Sequence, residues 1–472
     1  MKREKALAVN TIMLGIGYVV PFVVNMLFLP VYTSKLSQEE YGIYDFISVI
    51  SSLLITITTL QIKQAGMRYL MKYRNTNEEK ETQKVITNVL SFVFVSSLLL
   101  FIIVLFVLRG SDGATRVLIA VYFAVQVHVD TLKQLIRGLG KNKEYVIGVV
   151  VQTLSSFLLV VAFLTSDGAG LNGLLFANVI AFIMAGVYLG YQVPVHVNYS
   201  VKLVSVSYMC GMLKFSTPIV FSSISIWIVK LSDRLVVTFF LGAASNGIYS
   251  VANKIPNLLS QVFEVFNLAW QENASITIDD KDSDAYYSRV FKAMFAMLLG
   301  MACVLAGIMP FMFQLLVDDS FDSAYYQVPI LIAAFFFASL NGYFGNIYFA
   351  LERPIINAYS TIIGAVINLA ICLALINKIG IYAASISTLV SYMLITGVRF
   401  FTVLKWKKMD YDYLSIVGGL VVFFLFCSVC YVRNAAVLIV NAAIAIAFAV
   451  FINREFLQES VKLITARIGR RK

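Results

Sequence analysis

The chain is built almost end to end from apolar runs of about twenty residues, the length a helix needs to cross roughly 30 Å of hydrocarbon. Inside lipid every backbone amide must be bonded within its own segment or in a closed barrel, so such runs read as membrane helices. About fourteen fit the 472 residues, at 10–33, 42–65, 85–108, 116–136, 145–165, 171–192, 215–240, 247–270, 290–317, 327–350, 355–376, 380–402, 414–432 and 435–452. The period-two alternation of barrel strands does not occur, and the expected fold class is an all-α integral membrane protein. Composition agrees: 60% of residues are hydrophobic and only 13% charged, where a soluble domain carries about a quarter charged. The first run follows the basic start "MKREK" but is about twice the length of a secretory signal's apolar region, and it is read as a span.

The net charge of +11 suggests nucleic acid only if its placement is ignored. With the N-terminus in the cytoplasm, about 28 of the 37 Lys and Arg fall in loops and ends on that side, among them "MRYLMKYR", "RGLGKNK", "KWKK" and the tail "ARIGRRK". The opposite side receives Lys35, Arg109, Arg116, Lys378 and Arg433, while Lys63, Lys230, Arg234 and Lys254 lie within or at the edge of spans. Both termini are therefore expected in the cytoplasm, with the basic tail against anionic lipid and no nucleic-acid partner. The five cysteines are scattered through apolar segments, and the CxxC of Cys427 and Cys430 reads as packing.

A weak internal repeat is present. "LSQEEYGIYD" from Leu36 and "LGAASNGIYS" from Leu241 align without a gap, about 205 residues apart, and later matches keep nearly that offset. The expected organisation is a six-helix bundle at 1–192, a cytoplasmic linker at 193–212, a second six-helix bundle at 213–402, and two extra helices with a basic tail at 403–472. Because six is even, the bundles share an orientation, and a central cavity between them with alternating access follows as the expectation.

Polar stripes at helical spacing indicate which faces avoid lipid. The second span aligns Asp45, Ser48, Ser52, Thr56, Thr59 and Lys63; the eighth aligns Ser250, Asn253, Lys254, Asn257, Gln261, Glu264 and Gln271. Unpaired polar groups in hydrocarbon cost several kcal/mol each, so these faces should turn inward. In the seventh span, "IWIVKLSDRLVV" carries Lys230, Asp233 and Arg234, each costing about 2.5–3.5 kcal/mol at a bilayer centre. Lys230 and Asp233, three apart, are expected to pair, as a structural lock or as one wall of a hydrated, net cationic cavity with Arg234 and Lys254. Asp45 and Glu264 are the candidates for a coupling carboxylate that binds a proton or Na⁺. His128, Asp130, Lys133 and Arg137 form a further cluster, read as packing and interfacial topology signals.

The stretch "SDRLVVTFFLGAASNGIYSVANKI", 232 to 255, and "LPVYTSKLSQEEYGIYDF" near the amino end resemble the polysaccharide-exporter family of lipid-linked oligosaccharide flippases. The resemblance implies the fold of the multidrug/oligosaccharidyl-lipid/polysaccharide exporters, with about fourteen helices. It also implies residence in a bacterial or archaeal cytoplasmic membrane and a substrate carried on polyprenyl diphosphate. Arg234, Lys230 and Lys254 would then meet the diphosphate, Asn253, Asn257 and Gln261 the sugars, and Asp233 would hold Lys230. A polysaccharide polymerase and glycosyltransferases are the implied partners, and no cofactor is implied.

Two relatives of that reading are a peptidoglycan lipid-precursor flippase and a drug/cation antiporter. Ala6 to Ser34 holds no charged residue, where peptidoglycan-precursor flippases typically place arginine, and a net positive cavity disfavours cationic drugs. A membrane glycosyltransferase or polymerase fits less well because the outer loops are short. The acidic loop "DDSFDSAYY" reads as solvated rather than as a metal site, and no G-x-x-x-x-G-K-[ST] phosphate loop is present, so neither catalytic nor metal residues are assigned.

Overall fold

The computed structural model describes residues 20–454 except 22, 74–77 and 166–168, together with residue 458; the side chains of residues 196, 197, 222, 225, 226, 229, 230, 265, 268 and 354 also lie outside the description. Among the described residues there are helices, turns and no strand. Twelve helices there are long and apolar enough to cross a membrane. The expected all-α membrane fold is what the chain adopts. Residues 10–19 and 22 of the expected first span, 10–33, lie outside the described residues, and the rest of it is helical. The chain forms two compact units, Met1–Leu231 and Ser232–Lys472.

The first unit holds α1 (23–35), α2 (Gln38–Thr59), α3 (Ile62–Tyr73), α4 (Glu79–Val107), α5 (Gly113–Gly138), α6 (Asn142–Leu164), α7 (Gly170–Gln192), the short α8 (Val195–Asn198) and the start of α9 (Val206–Thr277). A capping box starts α2: Ser37 Oγ accepts from Glu40 N at 3.2 Å, and Ser37 N donates to Glu40 Oε2 at 2.9 Å. Asp112 caps α5 by accepting from the amides of Ala114 and Thr115. α4 shows what a membrane helix does with an all-apolar surface. Val85, Ile86, Val89, Val93, Leu100 and Val104 form its buried seam, while Phe94, Val95, Phe106 and Val107 are left exposed for lipid. α5 packs on α3, α4 and α7, and α6 packs on α7.

Two features of this unit were hidden in the sequence. The expected span 42–65 is two helices, because Leu60 and Gln61 take left-handed backbone (φ 47° and 55°) and end α2 at Thr59. Lys63 therefore belongs to α3 and not to the α2 stripe. The segment after α7 is strapped down: Thr87 Oγ1 donates to Asn198 O at 3.1 Å, Asn88 Nδ2 donates to Leu203 O at 2.9 Å, and Ser205 N donates to Asn88 Oδ1 at 2.7 Å.

The second unit holds the rest of α9, α10 (Ser283–Leu316), α11 (Val328–Ala350), α12 (Pro354–Ile379), α13 (Tyr382–Val403), α14 (Tyr413–Val429) and α15 (Ala435–Ile452). α9 is not straight. Gly242 has φ 86° and ψ 171°, open in practice only to glycine, and Tyr249 Oη lies 3.2 Å from Asp233 Oδ2 although a straight helix would separate those residues by about 24 Å. The chain reverses at Gly242, so the 47-residue candidate span Leu231–Thr277 is folded back on itself, as the separate runs 215–240 and 247–270 anticipate.

Small residues bring α10 against α15. A Cβ built on Gly307 would lie 2.9 Å from Ala445 Cβ and 3.1 Å from Ala442 Cα, the close backbone approach that membrane helix pairs use in place of a hydrophobic drive. α11 is sheathed by α13 and α10 and is the most buried helix of the unit. An aromatic cluster closes one end: Trp270 stacks on Tyr343 at 4.9 Å and donates to its carbonyl at 3.1 Å, and Phe400 stacks on Tyr411 at 4.1 Å. Cys303, Cys372, Cys427 and Cys430 are buried, Cys210 is exposed, and Cys430 Sγ donates to Ala306 O at 3.2 Å as a packing contact.

Candidate functional site

Among the described residues, three groups of polar side chains inside membrane-spanning helices bear on the residues singled out in the sequence. The first is the carboxylate of Asp233, 6% exposed, on the segment of α9 before Gly242. Its Oδ2 accepts from Tyr249 Oη at 3.2 Å and from Thr388 Oγ1 of α13 at 2.5 Å. Thr388 in turn accepts from Asn368 Nδ2 of α12 at 3.2 Å. Asp233 Oδ1 and Asn368 Oδ1 are buried without a hydrogen-bond partner among the described residues. The donor set is thus oxygen from a carboxylate, a phenol, a hydroxyl and an amide, which suits a proton or a hard cation of low charge. The expected partner of Asp233, Lys230, has its side chain outside the described residues.

Around that carboxylate the sequence-derived residues separate by exposure. Arg234 and Lys254 are half-buried. Asn253 is buried and its Nδ2 donates to Tyr249 O at 2.8 Å, one turn back on its own helix, so it braces the residue that holds Asp233 instead of opening onto an exposed face. Asn257 is half-buried, and Gln261 and Glu264 are exposed. Glu264 Oε2 accepts from Asn267 Nδ2 at 3.4 Å, and Asn267 Oδ1 accepts from Asn346 at 2.8 Å.

The second place is the α2 face. Asp45 is buried. Ser48, Ser52, Thr56 and Thr59 each donate to a carbonyl of their own helix, at 3.0, 2.7, 2.9 and 2.6 Å, so their protons are already used. Trp227 Nε1 donates to Ser52 Oγ at 3.0 Å and to Val49 O at 3.1 Å, fixing the early part of α9 on this face. A polar stripe can thus exist beside apolar packing without free donors, which the spacing alone did not reveal.

The third place was missed. Arg399 on α13 is 4% exposed and spreads its guanidinium over neutral acceptors: Ser360 Oγ at 2.9 Å, Asn341 O at 2.8 Å, Asn357 O at 3.0 Å and Thr361 Oγ1 at 2.7 Å. It ties α11, α12 and α13 together through one planar fork. The sequence offered one signal, an arginine inside the run 380–402, but its position in the last turns made it look like another flanking charge.

A family profile described as polysaccharide biosynthesis protein matches residues 7–271. No curated protein matches the sequence significantly. Among solved structures, an inward-facing multidrug resistance MATE family transporter of the MOP superfamily superimposes with a TM-score of 0.65 at 11% identity, covering 84% of this chain and 99% of that one. An outward-facing MATE family transporter gives 0.58 at 14% identity, covering 89% and 96%. A MOP superfamily transporter from Pyrococcus furiosus, described as having a binding pocket of reverse polarity that suggests a different function, gives 0.56 at 10% identity, covering 84% and 96%. At these identities the likeness is one of fold.

Proposed function

Because the chain belongs to the polysaccharide biosynthesis protein family and has the fold of MOP-superfamily membrane transporters, we propose that it is a flippase for a polyprenyl-diphosphate-linked oligosaccharide, such as an O-antigen, capsule or exopolysaccharide repeat unit. It would work by alternating access, from the cytoplasmic to the outer leaflet of a cytoplasmic membrane, with both termini inside. Family and fold are those of a membrane exporter; the lipid-linked substrate is the further step. The observation that carries it is the set of polar residues on the two arms of the α9 hairpin: half-buried Arg234 before Gly242, and half-buried Lys254 and Asn257 followed by exposed Gln261 after it.

A diphosphate leaving water needs cations that offset its desolvation, and a sugar needs hydrogen-bonding groups that exchange readily. Arg234 and Lys254, with Lys230 beside them in sequence, supply the first, and Asn257 and Gln261 the second, with Asn253 bracing from behind. For coupling, Asp233 is a stronger candidate than exposed Glu264, because its buried carboxylate accepts from the hydroxyls of Tyr249 and Thr388 while Oδ1 has no hydrogen-bond partner among the described residues, so that taking up a proton or a cation stabilises it. Asp45, buried on α2, remains the counterpart in the first unit. The reading is tested by reconstituting the protein in vesicles and following a fluorescent polyprenyl-diphosphate oligosaccharide between leaflets. No flipping above empty vesicles, with a peptidoglycan precursor or a cationic drug moved instead, would overturn it.

A further inference from the structure

Away from the three polar groups described above, the first unit carries a charged cluster read from the sequence only as packing and topology signals. Asp130 of α5 lies 3.6 Å from Lys133 Nζ on the same helix and 4.0 Å from Lys63 Nζ of α3. The break at Leu60 and Gln61 is what places Lys63 there, since it starts a new helix at Ile62, one residue before Lys63. Exposure of the three side chains is 15% for Lys63, 30% for Asp130 and 17% for Lys133. Two ammonium groups share one carboxylate, leaving a net positive charge between the membrane-spanning α5 and the shorter α3. Both separations are ion-pair distances longer than the roughly 2.7–3.2 Å of a close hydrogen bond.

Depth decides what could use them. Lys133 stands five residues and Asp130 eight residues before the end of α5, a rise of roughly 8–12 Å into the helix from the end that meets the basic loop "RGLGKNK". On a 26-residue helix set across roughly 30 Å of hydrocarbon, that is a few ångströms inside the boundary on the side proposed as cytoplasmic, from which a long lysine side chain can reach the phosphate level. We infer that Lys63 and Lys133 form an entry subsite for a lipid-borne diphosphate in the cytoplasmic leaflet, with Asp130 as a placeholder anion that the diphosphate displaces. This rests on the flippase reading and adds a station before Arg234 and Lys254. A diphosphate suits the pair better than a single phosphate ester, because its additional charge and acceptor oxygens can engage two ammonium groups at once.

The test uses the full chain in nanodiscs of zwitterionic lipid, with polyprenyl diphosphate lacking any sugar as the probe and phosphatidylglycerol as competitor. Lys63→Gln and Lys133→Gln should each weaken binding roughly tenfold. Lys63→Arg, which keeps the charge, should retain binding and separate charge loss from misfolding. Asp130→Asn should tighten binding, an outcome that an ion-pair lock would not give. Equal affinity in the wild type and both glutamine variants sinks the subsite while leaving the flippase reading intact. Phosphatidylglycerol competing as well as the diphosphate makes it a headgroup contact and sinks it too. If the wild type binds no polyprenyl diphosphate, the flippase reading falls as well.

Discussion

Tyr249 donates its hydroxyl to the carboxylate of Asp233, 16 residues earlier in the same helix, across the reversal at Gly242. The bond joins the two arms of the hairpin at a buried anion. Tyr249→Phe removes one of the two donors to Asp233 Oδ2 and should lower stability by about 1.5–3 kcal/mol, the range for a hydrogen bond to a charged group. Thermal unfolding of the purified protein checks it; an unchanged midpoint would mean that the bond is not made.

Asp233→Asn removes the charge while preserving shape. The prediction is a protein that still folds and whose transport no longer responds to a proton or sodium gradient, because the only carboxylate of the Asp233–Tyr249–Thr388–Asn368 cluster is gone. Vesicle transport measured with each gradient imposed and collapsed decides the matter. Retained gradient dependence would return the coupling role to Asp45 or Glu264.

Arg234→Gln and Lys254→Gln should each reduce flipping tenfold or more with the protein still inserted, since an amide keeps hydrogen bonds but lacks the charge that offsets diphosphate desolvation. Wild-type rates for both variants in vesicles would make these residues structural.

Arg399→Lys keeps the charge and loses the fork. Three ammonium protons cannot reproduce contacts to Ser360, Asn341, Asn357 and Thr361 spread over two helices. The expected cost is about 2–4 kcal/mol, from several buried acceptors left without donors, and it is read from the unfolding midpoint.

Membrane sidedness follows from labelling intact cells. Ser320→Cys should react with an impermeant thiol reagent and Lys281→Cys should not, both positions being exposed. Ser283, near Lys281, is unsuitable because it is buried under Lys407 Nζ at 2.8 Å. Labelling of residue 281 alone would invert the proposed orientation.

The spans were legible because lipid imposes length and apolarity on every residue of a run at once, and the reversal at Gly242 lay where two runs met. The break at Leu60–Gln61 was not legible: neither residue is a glycine or proline, so the left-handed turn has no local signature. At the site, the i,i+3 spacing suggested for Asp233 the partner Lys230, whose side chain lies outside the described ones, and gave no sign of Thr388, 155 residues away in sequence. No short-range pattern finds such a partner. Lys63 beside Asp130 was hidden for the same reason, being on another helix.

The hydroxyls of α2 carry a last implication. With their protons committed to carbonyls of the helix, the half-buried Ser48, Ser52 and Thr56 offer no hydrogen bond and keep only lone pairs to accept with, Ser52 and Thr56 each already using one for Trp227 and Gln61, while Thr59 is buried. Such a wall is chemically one-sided. A sugar, rich in O–H donors, can brush along it by weak and interchangeable contacts, whereas a phosphate, which needs donors, gains nothing there. For the lipid-linked cargo proposed above, α2 would then act as a glide surface that sorts its two ends by what each lacks, favouring quick release over grip.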